Sequence, residues 1–135
     1  MATEAGAGTL VLDASAVVRL ICHDPAAAGW AEQLAEASMV LAPELMLTEV
    51  ANALWKLQRS GSLVGVDPQP LLADARDLVD QFEPDRELQV EALALACHLD
   101  HPVYDCLYLA LARREAARIL TADQRLQRLA DQVLP

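Results

Sequence analysis

Four acidic residues carry the chemistry that can be read from this chain: Asp13, Glu49, Asp105 and Asp123. Each has a local explanation. Asp13 closes the apolar run TLVL and could accept hydrogen bonds from the following turn. Asp123 follows RILT and could cap the next helix. Asp105 stands in the first turn of a helix, where the dipole favours an acid. Glu49 lies one turn into another helix, beside Leu47, Val50 and Ala51, where a solvated face would account for it. One shared cause is a better account than four unrelated ones. Asp105 is the sharpest case, because it leads straight into the apolar run 106–112 and an acid on a buried helix must find a cation or several donors. Hard oxygen ligands of this kind suit Mg²⁺, with Mn²⁺ as a substitute. Two such ions can activate an attacking water and stabilise the leaving oxygen of a phosphodiester. The sequence offers no His or Cys base near these positions, so metal-activated water is the expected nucleophile.

The elements that must position these acids follow from the apolar pattern. Residues 9–13 (TLVLD) predict a buried strand. Ser15 is expected to cap a helix over 16–22, and Asp24-Pro25 marks a turn before a helix over 26–37. MVLA (39–42) predicts a second buried strand. A long helix over 44–60 carries Leu47, Val50, Leu54 and Leu57 at helical spacing and stops at Gly61. Further helices are expected over about 68–81, 88–99 and 104–117, with a short strand or turn at 82–84. RILT (118–121) predicts a third clear strand, followed by a helix over 124–130 and a terminal strand at Val133-Leu134. Short apolar strands alternating with helices mean an α/β fold, with a mainly parallel sheet of four to five strands covered on both faces. Ligands of such sheets bind beyond the carboxyl ends of the strands. Asp13 and Asp123 fall there.

At 135 residues the chain fits one domain, with residues 1–8 expected to form an N-terminal tail. It is 54% hydrophobic with only five aromatic side chains, a balance that favours helices over a β-sandwich. No apolar run approaches the ~20 residues of a bilayer span, and the N-terminus lacks the pattern of a signal peptide. A cytoplasmic protein without membrane contact is expected. Cys22, Cys97 and Cys106 are expected to be reduced and mostly buried. The net charge of −10 excludes a wrapping, electrostatically driven nucleic-acid binder, but leaves room for a nucleic-acid enzyme built around metal and carboxylates.

The segments VLDASAVV (11–18), LTEVANALW (47–55), YDCLYLALA (104–112) and ILTADQRL (119–126) resemble the four conserved blocks of PIN-domain nucleases. Length and block order are similar to the VapC-type toxins of bacterial toxin–antitoxin modules, and the likeness runs from about residue 9 to 134. It implies a three-layer α/β/α sandwich and an acidic site at Asp13, Glu49, Asp105 and Asp123. Ser15 and Thr121 match the small hydroxyl positions beside that site, where they would hydrogen-bond the acids or metal-bound water; helix capping by Ser15 and strand termination at Thr121 are equally good readings. It also implies an endoribonuclease acting on structured RNA such as tRNA or rRNA, with Mg²⁺ or Mn²⁺, inhibited by a small cognate antitoxin. A homodimer is expected. The single lysine, Lys56, leaves RNA contact to arginines such as Arg19, Arg59, Arg113, Arg114 or Arg125. An antitoxin would dock on the apolar surface of the helices over 16–22 and 44–60 and insert an Arg or Lys among the acids.

Rival readings lose on residue identity. A haloacid-dehalogenase-type phosphatase needs a second acid two residues after the first, where this chain has Ser15. A receiver domain needs a late lysine. A zinc site from Cys97, His98, His101 and Cys106 lacks the spacing of structural sites. A catalytically silent PIN-like interaction module is the non-enzymatic alternative, and the intact acids argue against it.

Overall fold

The computed structural model describes residues 8–135; the expected tail lies outside the described residues except for Gly8. Among them, four strands form one sheet in the order β3-β2-β1-β4, every pairing parallel. β1 (Thr9–Leu12) is central, and Leu10, Val11 and Leu12 are fully buried. A strand buried on both faces needs this unbroken apolar run rather than alternation. β2 (Met39–Pro43), β3 (Gln81–Glu83) and β4 (Arg118–Leu120) complete the sheet.

Four helices precede β3: α1 (Ala14–Ile21), α2 (Ala28–Glu36), α3 (Leu45–Arg59) and α4 (Pro68–Asp77). Of these, α1, α3 and α4 pack on one another. After β3 come α5 (Gln89–Leu99) and α6 (Val103–Glu115), which pack together, with α6 lying across β1, β2 and β4. Right-handed crossovers put the two groups on opposite faces of the sheet, giving three layers, α/β/α. α7 (Gln124–Val133) follows β4. The run Cys106–Ala112 of α6 is buried on every side, as its composition requires.

Several boundaries differ from the sequence reading. Ser15 is the second residue of α1 and not its cap; Asp13 holds the N-cap position, and the helix starts two residues early. The helix expected to run to 81 stops at Asp77, freeing Gln81–Glu83 to pair with β2. No strand forms at Val133-Leu134. Leu126, Leu129, Ala130 and Val133 keep a helical period, so packing carries α7 through Val133. Cys22 and Cys97 are exposed, and only Cys106 is buried. α5 ends on Asp100 in the left-handed conformation, before Pro102 is reached. The His101 N–H then closes back on the Ala96 carbonyl at 3.1 Å, a Schellman turn that delivers His101 to the start of α6.

Candidate active site

Asp13 is held where β1 and β4 end together. Its N–H donates to the Leu120 carbonyl at 3.1 Å, and its carbonyl accepts from Ala16 and Val17 at the start of α1. Its side chain does not cap that helix. Oδ2 accepts instead from the Thr121 hydroxyl at 2.6 Å and from the Ser15 hydroxyl. Those hydroxyls in turn accept backbone N–H groups of the β4–α7 turn: Ala122 donates to Ser15 Oγ and Asp123 to Thr121 Oγ1, each at 2.9 Å. Ser15 and Thr121 therefore aim their protons at Asp13 and tie the ends of β1 and β4 together.

Glu49 enters from α3, half-buried beside the fully buried Val50, and its Oε1 accepts the Tyr108 hydroxyl at 2.5 Å. Asp105 enters from the first turn of α6, with Oδ2 2.7 Å from His101 Nε2. Burial raises the pKa of Asp13 and of Glu49 above the ordinary carboxylate values, and neighbouring charges add to it: Asp105 acts on Asp13, and both Asp13 and Asp105 act on Glu49. The hydrogen bonds from Ser15, Thr121 and Tyr108 pull the other way without cancelling the rise. The Tyr108 hydroxyl is itself held well above its usual value, by burial first and then by Glu49 and Asp13, so it stays a donor. Three carboxylates from three distant segments thus converge closely enough to repel one another.

Asp123 stands apart from this group. It is exposed, and its Oδ1 caps α7 by accepting from the N–H groups of Arg125 (2.8 Å) and Leu126 (3.3 Å). Its link to the site is its own N–H on Thr121.

Reading by sequence missed three partners. His101 is buried and holds Asp105, so a histidine does stand beside the acids; its position four residues before Asp105 was the available signal. Tyr108 is a phenol inside an apolar run, and a buried hydroxyl needs a partner. Asp85 adds a further negative neighbour to Glu49 while its Oδ1 accepts the Leu45 N–H at 3.1 Å, capping α3. Of the zinc candidates, Cys97 and His98 point to solvent, and among the described residues no three His, Cys, Asp or Glu side chains stand close enough to enclose one ion.

That openness bears on the metal. The donor set is all hard oxygen, and among the described residues no Lys or Arg lies within 4.0 Å of Asp13, Glu49 or Asp105. Carboxylate oxygens of this kind match the ligand preference of Mg²⁺, which keeps several of its waters and needs only one or two direct protein ligands. The arginines beyond the site differ in freedom. Arg114 pairs with Glu83, Glu87 and Glu115, and Arg113 lies 3.8 Å from Glu91.

A parallel α/β/α sandwich with three mutually repelling acids at its strand and helix ends defines a class that comparison with known proteins makes explicit. Residues 10–132 match the PIN domain family model, and the chain belongs to that family. It is of the VapC type, being 30% identical over 119 residues to Ribonuclease VapC3 of Pyrobaculum aerophilum, an alignment covering 87% of this chain and 91% of that protein. The crystal structure of PAE2754, also from Pyrobaculum aerophilum, superposes with a TM-score of 0.68 at 26% identity, covering 96% of this chain and 83% of the other.

Proposed function

We propose that this protein is a Mg²⁺-dependent endoribonuclease, with Mn²⁺ able to substitute, and the toxin of a toxin–antitoxin pair that cuts structured RNA. The observation that carries the reading is the convergence of Asp13, Glu49 and Asp105, each with one carboxylate oxygen tethered by a protein side chain and none with a Lys or Arg partner among the described residues. The ribonuclease named among its relatives supports it. One or two of Asp13, Glu49 and Asp105 would bind the ion directly and the remainder would hold its waters, while Asp123 would add charge at the rim and cap α7. When bound, the ion offsets carboxylate repulsion and favours attack of water on a phosphodiester. The protein's own part is positioning. Ser15 and Thr121 fix Asp13, Tyr108 fixes Glu49, and His101 fixes Asp105, so the three acids meet the ion without first being ordered.

A small antitoxin with a basic, Arg-bearing segment is the proposed inhibitor, since a guanidinium fork matches unneutralised carboxylates. A homodimer is proposed through α5. Its exposed apolar positions Val90, Leu93, Ala94 and Cys97 are symmetric about the point between Leu93 and Ala94. An antiparallel copy would set Val90 against Cys97 and Leu93 against Ala94, the self-complementary pairing a two-fold axis demands.

The test is cleavage of structured RNA by the purified protein. Activity should vanish in EDTA and return with Mg²⁺ or Mn²⁺. Undiminished cleavage in EDTA would sink the metal mechanism, and no cleavage under any condition would favour the silent interaction module.

A further inference from the structure

We infer that Trp55, with Lys56 and Arg59 beside it on α3, is a stacking platform for an unpaired nucleotide of the RNA strand that runs through the acidic site. The inference rests on the ribonuclease reading and adds a subsite to it. Glu49, Asn52, Lys56 and Arg59 are spaced i, i+3, i+7 and i+10, which places them along one line of α3. At the helical rise, Lys56 lies about 10 Å and Arg59 about 15 Å along the axis from Glu49. A strand leaving the carboxylates along α3 meets these two cations next. Trp55 sits beside that line, 51% exposed, with the Arg59 guanidinium 5.3 Å from its ring centroid. One face of the indole is thus backed by a cation, and the exposed remainder is open to a base. Every base has a π-face, so this recognition needs no particular sequence.

The surroundings favour RNA over a protein partner. On the helix Trp55 is flanked by Ala51, Asn52, Lys56, Gln58 and Arg59, all exposed, a polar setting that lacks the apolar collar of a protein docking anchor. The chain carries −10 overall, so a polyanion can approach only over local positive surface. Lys56 is the sole lysine, and among the described residues neither it nor Arg59 has an acidic partner within 4.0 Å, whereas Arg113 and Arg114 do. The two cations also suit the negative end of the helix dipole, which explains their tolerance but not the exposed indole beside them.

The experiment uses the whole chain and a short single-stranded oligouridylate, titrated in EDTA so that nothing is cut. Trp30→Phe leaves Trp55 as the only tryptophan, and its fluorescence should be quenched as RNA binds. Trp55→Ala should weaken binding roughly tenfold or more, leaving the slope of log affinity against log salt unchanged, and Trp55→Phe should recover much of the loss. Lys56→Ala should instead reduce that slope by about 0.7, the signature of one lost phosphate contact on a single strand. Melting temperatures of these surface variants should match the wild type. Equal affinity of wild type and Trp55→Ala, with RNA still bound and cut, overturns the platform and leaves the nuclease standing. A Trp55→Ala protein that keeps its RNA affinity but loses its protein partner reassigns the indole to that partner and equally overturns it. A wild type that neither binds nor cuts RNA removes the ribonuclease reading as well.

Discussion

Replacing Asp13 by Asn removes one charge from the repelling group at nearly constant shape. The side chain is only 5% exposed, and burial with the charge of Asp105 raises its pKa despite the hydroxyls of Ser15 and Thr121. A raised pKa says that the fold prefers the neutral form, by about 1.4 kcal/mol for each unit of rise. Asn mimics that neutral form, and its amide oxygen can accept both hydroxyls from the position of Oδ2. For a chain of this length about 1 kcal/mol moves Tm by roughly 4 °C. In EDTA at pH 7, Asp13→Asn should therefore melt at or a few degrees above the wild type, while cleavage is lost. The pH dependence has the matching sign. Groups whose folded pKa is raised contribute stability that is fully present below the unfolded value and lost as pH rises through the folded one. The metal-free wild type should lose stability as pH rises above the ordinary carboxylate range of about 4, and the variant less so. Mg²⁺ at a hundredfold excess over its Kd would stabilise the wild type by about 2.7 kcal/mol, or roughly 10 °C, and the variant less. Thermal melts of both proteins, in EDTA and in Mg²⁺ across pH, make the comparison. A variant that melts far below the wild type in EDTA would show Asp13 to be a structural hydrogen-bond acceptor worth more as an anion than burial takes away, and the repulsion argument would fail.

Tyr108→Phe removes the donor to Glu49 at a fully buried position without opening a cavity. Cleavage should fall about 10- to 100-fold, as for other groups that orient a metal ligand, with the fold intact by circular dichroism; full activity would mean that Glu49 needs no tether. Asp123 can be split between its two roles. Asp123→Ala should lower stability by about 1 kcal/mol through the lost cap, whereas Asp123→Asn keeps the cap, so a loss of cleavage by the Asn variant assigns the charge to chemistry and unchanged cleavage leaves Asp123 a cap. Val90→Cys, made in a Cys22→Ser background, should form an intermolecular disulfide with native Cys97 under mild oxidation if α5 pairs antiparallel with its copy; a monomer under non-reducing electrophoresis would exclude that interface.

The chain's own sequence determined the layers and the points at which its acids emerge from them. An unbroken apolar TLVL can be satisfied only in a strand covered on both faces, and seven apolar residues from Cys106 to Ala112 only in a helix buried all round, so Asp105 had to emerge at that helix's first turn. What only the tertiary structure decided is which groups meet. Tyr108 and Glu49 are 59 residues apart, and Thr121 and Asp13 are 108 apart; no local period reports such pairs, because they depend on the lateral order of the strands and the crossing of α6 over them. In sequence Ser15 fits a helix cap and a donor to the acids equally well; the parallel partner β4 brings Thr121 alongside and turns both hydroxyls toward Asp13. Asp123 and Asp13 look alike in sequence, each an acid just past a strand. One is buried among like charges and the other spends its carboxylate on the next helix, a difference set by how far the fold carries each from water.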